Sequence, residues 1–454
     1  MQVIRPGDRG YGPFLKRLNR CSAPDPKVRE VVSGIIDAVA ADGDDAVLRF
    51  TEKFGGPRLA ATDLPVTPAE LGDAQRSLAP EVRKAIAAAR ANVLAFAKRS
   101  LRKNWFMKNR QGAIVGERFG PFTRVGIYVP GGTAPLVSTA VMTCTLAAAA
   151  GVPEIVAVTP AARDGSVHPA LLAALRECGA TEVYRAGGAQ AVAALALGTK
   201  TIRPVQKIFG PGNAYVVEAK RQLFGRVAID LLPGPSEVLV IADQSANPSW
   251  IAADLLAQAE HGHGSEAVLV TDSPRILKGV EAAVRRQTKL SRRPQELAQA
   301  LKHTSLVLVG DLDEAAALAN AYAAEHVSIA TQHPGAVAQK LTTSGAIFLG
   351  GISPVVAGDF LAGPSHELPT GGAGKSFAGL TVDQFQRRTS VVMYDAESLR
   401  ASLPVIETFS AVEGLDAHGR SASIRLKPDP SSRPAPRRRK AGTPRRKAKA
   451  RNAA

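Results

Sequence analysis

The chain has 454 residues, of which 45% are hydrophobic, and it carries a formal net charge of +17. This length allows about two to four domains with a sizeable core, and no run approaches the ~18 apolar residues of a membrane span. The first residues, Met-Gln-Val-Ile-Arg-Pro-Gly-Asp, lack the basic and apolar regions of a secretory signal, so the sequence predicts a cytoplasmic protein. The three cysteines are too few and too scattered for a disulfide framework or a cysteine metal site.

The excess positive charge is concentrated at the C-terminus. Ten Lys and Arg residues and one acidic residue, Asp429, lie between Pro428 and Ala454, a stretch rich in Pro and Ala. Like charges without apolar periodicity predict a disordered tail. Two interpretations of this tail stay open: it is a solubilising segment, or it makes weak contacts with RNA or another anionic surface.

The first hundred residues have the patterns of helices. Asp25-Pro26 is typical of a helix start, and apolar residues recur at three- and four-residue spacing from Val28 to Val39. Thr67 and Glu70 form a capping-box pattern at the start of a second helical region, and the alanine-rich stretch from Arg83 to Lys98 predicts a third. No residue pattern in this part of the chain indicates chemistry.

Short apolar strands alternate with helices from Arg124 onwards. The predicted strands are Arg124 to Val129, Glu154 to Thr159, Glu182 to Arg185, Lys207 to Phe209, Val227 to Asp230, Glu237 to Ala242, Ala267 to Thr271, Leu306 to Val309, Val327 to Ala330 and Ala346 to Leu349. Such alternation is typical of parallel sheets covered by helices. The sequence therefore predicts an α/β fold with two successive Rossmann-like parallel-sheet units, helices on both faces, and small helical segments at both ends.

Three Gly/Pro-rich turns follow predicted strands, at residues 130–133, 187–190 and 210–213. In open α/β sheets ligands bind outside the carboxyl ends of the strands, so these turns predict a cofactor cleft. The chain contains no Gly-x-Gly-x-x-Gly fingerprint. Gly374-Lys375-Ser376 does not belong to a P-loop, because Pro369 stands where the first glycine of that motif would fall.

The stretch from Leu255 to Ser265 places polar residues on one face of a predicted helix end. Gln258 and His261 are three residues apart, and Asp254 lies one turn before Gln258. On these residues alone, a catalytic or metal site and a solvated helix end are equally good interpretations.

Carboxylates stand next to histidines further along the chain. Glu325 and His326 are adjacent at a predicted helix-to-strand junction, and such a pair can divide proton abstraction and water activation between its members. Asp359, in an irregular segment, and His418 would complete an N/O donor set with the two residues of the helix end, and this set suits zinc or manganese. No local metal-binding spacing accompanies these residues, so the metal site is a hypothesis at this point.

Five ordered blocks of the sequence resemble the signature blocks of the histidinol dehydrogenase family. They are Arg124–Thr139, Gly187–Ala191, Lys207–Tyr215, Gly234–Asp243 and Gln258–His261. The likeness extends over about residues 1–427 and leaves only the basic tail outside. The resemblance implies NAD-dependent oxidation of L-histidinol to L-histidine by way of L-histidinal, the last steps of histidine biosynthesis. It also implies a homodimer with one zinc ion per subunit.

The same resemblance implies roles for individual residues. The zinc ligands are Gln258, His261, Asp359 and His418; the NAD contacts are Tyr128, Gln190 and Asn213; and the substrate contacts are Ser236, Gln258, His261, Glu325, His326, Asp359, Glu413 and His418. His326 would take the hydroxyl proton as hydride leaves for NAD, and Glu325 would then activate water to hydrate the aldehyde. Zinc would orient the substrate nitrogens, while Glu413 and His418 would act across subunits.

Domain boundaries follow from these implications. They are an N-terminal arm at 1–25, a first α/β domain formed by 26–127 with 243–380, a second α/β domain on the NAD side at 128–242, a dimerisation segment at 381–427 that carries Glu413 and His418, and the tail at 428–454. Two alternative functions stay open. One is a related branch that oxidises a sulfonated diol, and the other is a nucleic-acid-binding protein that uses the basic tail on a dehydrogenase fold.

Overall fold

The computed structural model describes residues 1–18, 25–131, 135–262, 264–291, 297 and 300–427. These residues form two compact units. The larger unit contains Met1–Arg102 and Phe119–Arg387, and the smaller unit contains Lys103–Arg118 and the chain from Arg388 onwards. The basic tail, predicted to be disordered, lies outside the described residues. No helix in the described ranges is long and apolar enough to cross a membrane.

Helices occupy most of the first hundred residues, as the sequence predicts. Asp25 accepts a hydrogen bond from the Lys27 N–H at 2.8 Å, and Thr67 and Glu70 bond reciprocally through their side chains and backbone. The α-helices of the described residues are α1 (Tyr11–Leu18), α2 (Pro26–Asp42), α3 (Asp44–Lys53), α4 (Pro68–Ser77), α5 (Pro80–Ser100), α6 (Val137–Ala150), α7 (Pro169–Glu177), α8 (Gly188–Leu197), α9 (Ala214–Leu223), α10 (Pro248–Ala259), α11 (Pro274–Thr288), α12 (Leu312–Tyr322), α13 (Pro334–Ala338), α14 (Val355–Phe360), α15 (Ala396–Val412) and α16 (Asp416–Ser423).

Every strand predicted from the alternation is present, within two residues of its predicted bounds. The strands of the described residues are β1 (Gln2–Ile4), β2 (Trp105–Lys108), β3 (Ile114–Pro121), β4 (Arg124–Tyr128), β5 (Glu154–Thr159), β6 (Glu182–Arg185), β7 (Lys207–Phe209), β8 (Ala228–Ile229), β9 (Glu237–Ala242), β10 (Glu266–Thr271), β11 (Thr304–Leu308), β12 (His326–Ala330), β13 (Ala346–Leu349) and β14 (Gln386–Met393).

Two parallel sheets form the larger unit. The five-stranded sheet has the order β6-β5-β4-β7-β8, and the six-stranded sheet has the order β1-β11-β10-β9-β12-β13. In the first sheet Ile127 of β4 is paired with Ala157 and Phe209, and in the second Val238 of β9 is paired with Ala267 and His326. Helices cover both sheets, which confirms the predicted α/β fold.

The alternation pattern does not predict two features. The short strand β1 pairs in parallel with β11, with Gln2 opposite Ser305, although residues 1–25 are predicted to be an arm. A three-stranded sheet, with the order β14-β3-β2 and β2 antiparallel to β3, contains most of its residues in the smaller unit. Three residues are too few to show a period, and the four residues of β2, Trp-Phe-Met-Lys, are all exposed and show no alternation.

The helices of residues 26–100 pack on the five-stranded sheet. Val32 and Val39 of α2 share an apolar cluster with Val156 of β5, and Val93 of α5 shares another with Ile127 of β4. This differs from the predicted boundaries, which join residues 26–127 to residues 243–380. The sheet that these helices pack on is decided by where their apolar faces become buried, and helix periodicity in the sequence cannot identify that sheet. The boundaries themselves stay a prediction.

Candidate active site

One cavity lies at the carboxyl ends of the five-stranded sheet and has a volume of about 380 Å³. We name it the carboxyl-end cavity. Its lining comes mostly from the turns that follow β4, β5, β6 and β7 and includes Tyr128, Gly131, Pro160, Gly187, Gly188, Gln190 and Asn213. The fold therefore brings the three Gly/Pro-rich turns together, because the ends of parallel strands meet at one edge of the sheet.

The three predicted NAD contacts line this cavity. The buried Tyr128 hydroxyl accepts a hydrogen bond from the Gly188 N–H at 3.1 Å, and burial raises the pKa of Tyr128. Asn213 caps α9 by accepting from two backbone N–H groups at 3.1 and 3.2 Å. Gln190 is 3% exposed, and its Oε1 has no hydrogen-bond partner in the described part of the chain. A buried acceptor without a donor is costly, so this oxygen fits a ligand that donates to it.

The turn after β7 leaves no room for a side chain at its first residue. Gly210 has φ +107°, and a Cβ on it would lie 2.1 Å from the Tyr128 carbonyl oxygen. Only glycine tolerates both the positive φ and the close backbone approach. The turn can therefore come close to the end of β4 beneath the cavity.

A second cavity, of about 440 Å³, lies at the amino ends of β9 and β12 in the six-stranded sheet. We name it the amino-end cavity. Its lining includes Thr139, Pro211, Ser236, Asp254, Gln258, His261, Glu325, His326, Asp359 and His366. The structure thus brings together six of the predicted site residues, from positions as far apart as 236 and 359. Pro211 belongs to the turn whose residue Asn213 lines the carboxyl-end cavity.

Glu325 is a buried carboxyl group with two donors. Its Oε2 accepts from the Ser236 hydroxyl at 2.6 Å and from the Glu237 N–H at 2.9 Å. Burial raises the pKa of Glu325 to about 8, against the effect of these two hydrogen bonds, which favour the carboxylate. A carboxyl group with such a pKa exchanges protons near neutral pH and can act as a general base in slightly alkaline solution.

His326 has one ring nitrogen engaged and the other directed toward a carboxylate. Nδ1 lies 3.1 Å from the Glu237 carbonyl oxygen, which can only accept, so Nδ1 carries the proton in the neutral ring. Nε2 lies 3.6 Å from Oδ1 of Asp359. Burial lowers the pKa of His326, although Asp359 opposes this effect. The neutral tautomer therefore presents Nε2 as a base.

Three of the four predicted zinc ligands, Gln258, His261 and Asp359, line the amino-end cavity. Gln258 is 4% exposed, and its Nε2 has no hydrogen-bond partner among the described residues. An amide can flip, which would place an oxygen at this buried end, ready for a cation. Burial lowers the pKa of His261 and keeps the ring neutral, as a ligand must be. One imidazole, one carboxylate and one amide oxygen fit zinc, although the described residues contain no group of three His, Cys, Asp or Glu side chains that could hold a metal.

His366 is a partly buried residue of this cavity, with a side chain that is 14% exposed, and it is not among the predicted site residues. Its Nδ1 donates to the Asp359 carbonyl oxygen at 2.8 Å, and its Nε2 lies 3.4 Å from Oε1 of Glu367. Burial lowers the pKa of His366, but the Glu367 carboxylate outweighs this and raises it to about 9. The sequence signal was available, because His366 and Glu367 are adjacent in the same way as Glu325 and His326.

Asp254 also lines the amino-end cavity, one helical turn before Gln258. Burial raises the pKa of Asp254 to about 6.

Glu413 and His418 belong to the smaller unit, where Glu413 follows α15 and His418 lies in α16, and both are exposed. The larger unit therefore contains three of the predicted zinc ligands, and the fourth lies in the smaller unit.

A glycine-rich cavity at the carboxyl ends of a parallel sheet, beside a cavity with a buried carboxyl–imidazole pair, is typical of a dinucleotide-dependent α/β oxidoreductase. The family model "Histidinol dehydrogenase" matches residues 18–426. The chain belongs to the histidinol dehydrogenase family, whose members use NAD and zinc. This confirms the resemblance found in the five sequence blocks.

Individual relatives cover nearly the whole chain. Histidinol dehydrogenase of Rhizobium meliloti (strain 1021) is 45% identical over 420 residues, which are 92% of this chain and 96% of that protein. The enzyme of Heliobacterium mobile is 42% identical over 410 residues, 90% of this chain and 96% of that protein. The crystal structure of histidinol dehydrogenase from Elizabethkingia anophelis matches with a TM-score of 0.89 at 33% identity and covers 94% of this chain and 98% of that chain.

Proposed function

We propose that the carboxyl-end cavity binds NAD and that the amino-end cavity binds histidinol, with Glu325 and His326 as the catalytic pair. As a member of its family the chain is an NAD-dependent oxidoreductase of histidine biosynthesis, which oxidises histidinol to histidine. The observation that carries the assignment of residues is the geometry of the pair. Both side chains are buried at the start of β12, and each is held through the same backbone residue, Glu237.

The first oxidation needs a base for the hydroxyl proton. His326 Nε2 accepts this proton as the C–H bond of the alcohol carbon breaks, and the electron pair of that bond leaves as hydride. The hydrogen bond from Nδ1–H to the Glu237 carbonyl holds the tautomer in which Nε2 is free, and the resulting imidazolium is stabilised by Asp359. NAD, when bound, supplies the acceptor for the hydride in both oxidations.

The second oxidation needs a hydrated aldehyde. Glu325 takes a proton from water while the water oxygen forms a bond to the aldehyde carbon. The aldehyde oxygen takes the proton that His326 gained in the first oxidation, so a gem-diol results and His326 is neutral again. His326 then accepts a hydroxyl proton of the gem-diol as the second hydride leaves, which yields the acid. The Ser236 hydroxyl and the Glu237 N–H keep the Glu325 carboxylate oriented, so they act on this half of the reaction.

Gln258, His261 and Asp359 would hold the zinc ion together with His418 of a second copy of the chain. Zinc, when bound, would supply a template that orients the nitrogens of the substrate. The three residues of the larger unit support this proposal through their shared cavity and through the buried amide end of Gln258, which has no partner in the part of the chain that the structure describes.

A homodimer is part of the proposal, and the surface of the smaller unit supports it. Its exposed apolar side chains include Phe106, Met107, Val392, Phe409 and Val412, of which Phe409 is 62% and Val412 is 80% exposed. Large apolar side chains that are exposed in one small unit favour an interaction surface. A second copy of the chain would cover them and bring Glu413 and His418 to the partner's larger unit.

The roles of the pair are tested with the separate half-reactions. Glu325→Gln should slow the oxidation of histidinal by about 10²–10⁴-fold and the oxidation of histidinol much less, and His326→Gln should slow both. Single-turnover formation of NADH from each substrate measures the two rates. Equal losses in both halves for Glu325→Gln would contradict its assignment to water activation. A sulfonated diol, assayed in parallel, checks the choice of substrate.

Complementation tests the contribution of the second subunit. Glu325→Gln and His418→Gln are each nearly inactive in the formation of histidine in this scheme, but a mixed dimer has one site with both native residues. Random mixing of the two variants should restore ~25% of wild-type activity, because half of the dimers are mixed and each has one intact site. No recovery in mixed dimers, verified by differently tagged chains, would place His418 in the same chain as Glu325.

A further inference from the structure

A fully buried ion pair lies beneath the turn shared by the two cavities. Lys220 lies on α9, and Asp230 follows β8 directly. The Lys220 ammonium contacts the Asp230 carboxylate, and their side chains are 0% and 2% exposed. Neither residue lines the amino-end or the carboxyl-end cavity, and neither has a role in the proposed chemistry.

Both members of the pair are also bonded to Gly210. Lys220 Nζ donates to the Gly210 carbonyl oxygen at 2.9 Å, and Oδ2 of Asp230 accepts from the Gly210 N–H at 2.7 Å. The pair thus engages both backbone polar groups of the residue that also has the positive φ and the close approach to Tyr128. The hydrogen bonds to its N–H and to its carbonyl oxygen therefore both fix the position of Gly210.

The turn that begins at Gly210 supplies residues to both cavities. Pro211 lines the amino-end cavity, and Asn213 lines the carboxyl-end cavity while it caps α9. Lys220 lies on the same helix, two turns after this cap. A displacement of Gly210 or of α9 would consequently move the contacts of cofactor and substrate together.

Burial of two charges is a poor way to gain stability. Each charge loses several kcal/mol of hydration, and a buried pair can often be replaced by apolar side chains without loss of stability. The ion pairs of Arg124, at the amino ends of the same sheet, show the ordinary arrangement: the guanidinium is buried, but its partners Glu154 and Glu182 are 38% and 28% exposed. The complete burial of Lys220 and Asp230 at the turn therefore needs a reason other than stability.

We infer that Lys220 and Asp230 are positioning residues for the reaction, which fix Gly210 so that the turn from Gly210 to Asn213 presents Asn213 to the cofactor and Pro211 to the substrate. This inference rests on the proposed function, in which the carboxyl-end cavity binds NAD. The ion pair touches neither ligand and acts through the backbone of the turn.

The test uses a variant that keeps the core filled. In the double variant Lys220→Met/Asp230→Leu an apolar pair replaces the ion pair, so a role in stability alone predicts a folded and fully functional enzyme. Positioning predicts a folded enzyme whose Kd and KM for NAD rise at least about tenfold, as expected when contacts worth one ligand hydrogen bond are lost, with a smaller change in kcat. NAD titration, steady-state kinetics and the melting temperature give the three readouts on the full-length enzyme.

Two further variants make the result specific. Lys220→Arg keeps the charge and should retain more of the NAD affinity than Lys220→Met. Glu182→Gln is the matched control, because it breaks an ion pair of the same sheet at the opposite end, and it should lower the melting temperature without a change in the Kd for NAD.

Three results would overturn the inference. They are wild-type NAD affinity in the double variant, failure of the double variant to fold, and equal NAD affinity in Lys220→Arg and Lys220→Met. A wild-type enzyme that did not bind NAD would instead overturn the proposed function together with the inference, so the two failures are distinguishable.

Discussion

The two cavities of the larger unit are built in opposite ways. The carboxyl-end cavity is lined mostly by the chain at the ends of consecutive strands of one sheet, where the backbone of Gly131, Gly187 and Gly188 forms part of the wall, and α2 and α3 contribute the rest. The amino-end cavity is lined by side chains from distant segments, including Glu325, His326, Asp359 and His366, which are titratable and largely buried. A phosphate-bearing cofactor needs close backbone approach, whereas proton transfer needs acids and bases with adjusted pKa values.

This difference predicts which kind of substitution impairs ligand binding or catalysis in each cavity. A wall of backbone is disrupted when an atom is added, because no side chain is present to move aside. A wall of charged side chains is disrupted when a polar atom is removed, because the partners it leaves are buried and lose their hydrogen bonds.

Removal of the metal should have the largest effect and should be confined to one cavity. We expect chelation, or His261→Ala, to lower turnover of histidinol on the order of 10³-fold because the substrate is no longer held, with recovery of the chelated wild type on addition of zinc. The Kd for NAD, measured on the same samples, should stay within about twofold. Full activity in a sample shown to be free of metal would contradict the zinc site.

Addition of one methyl group should damage the carboxyl-end cavity. Gly210→Ala should lower kcat/KM for NAD about 100-fold, because the new Cβ would meet the Tyr128 carbonyl at 2.1 Å and the turn must move. Gly225→Ala is the matched control: it has a similar φ of +99°, but no atom of the described residues lies within 4 Å of the position of its Cβ. It should cost only ~1–2 kcal/mol of stability and leave kcat/KM unchanged. Equal values of kcat/KM for NAD in both variants would show that the turn can move to accommodate the methyl group without loss of function.

Removal of one hydroxyl should disturb the amino-end cavity by a smaller amount. In Ser236→Ala the Glu325 carboxylate loses a donor, so its pKa should rise further above about 8. Since Glu325 acts as the carboxylate, the rate of histidinal oxidation should fall about tenfold at pH 7 and its rise with pH should move to higher pH. Ser245→Ala, which removes a hydroxyl bonded to Asp243 outside both cavities, should leave the pH profile in place. An unchanged profile in Ser236→Ala would contradict the role of this hydrogen bond.

The smallest effect is expected at the amino ends of the five-stranded sheet. Hydrogen bonds from Arg124 lower the pKa of Glu182 from 4.5 to about 2. A lowered pKa stabilises the fold above pH 4.5, and this contribution is lost as the pH falls toward 2. Glu182→Gln should therefore lower the melting temperature by about 2–4 °C at pH 7, and the difference from wild type should shrink below pH 4.5. Thermal unfolding followed by circular dichroism at several pH values measures this, and a difference that is constant with pH would exclude the ionic contribution.

Much of the fold could be read from local patterns. The strands from Arg124 to Leu349 appear with nearly the predicted bounds, because each is a short apolar run bounded by turn residues. The caps at Asp25 and Thr67 form as predicted, since a cap depends on neighbours within three residues. The five sequence blocks identified the family, and family membership confirms the function and the use of NAD and zinc. The roles of individual site residues stay predictions.

The sequence by itself determined most of the elements of the two parallel sheets, their order and the family, because these depend on residues that are close along the chain. Tertiary structure alone decided which sheet receives the helices of residues 26–100, since an apolar helix face does not specify its partner. It also decided that His366 joins the Glu325–His326 cavity and that Lys220 and Asp230 meet at Gly210. These arrangements join segments that are distant in the chain, and the pKa of Glu325 and the environment of the buried charges depend on burial, which no local pattern records.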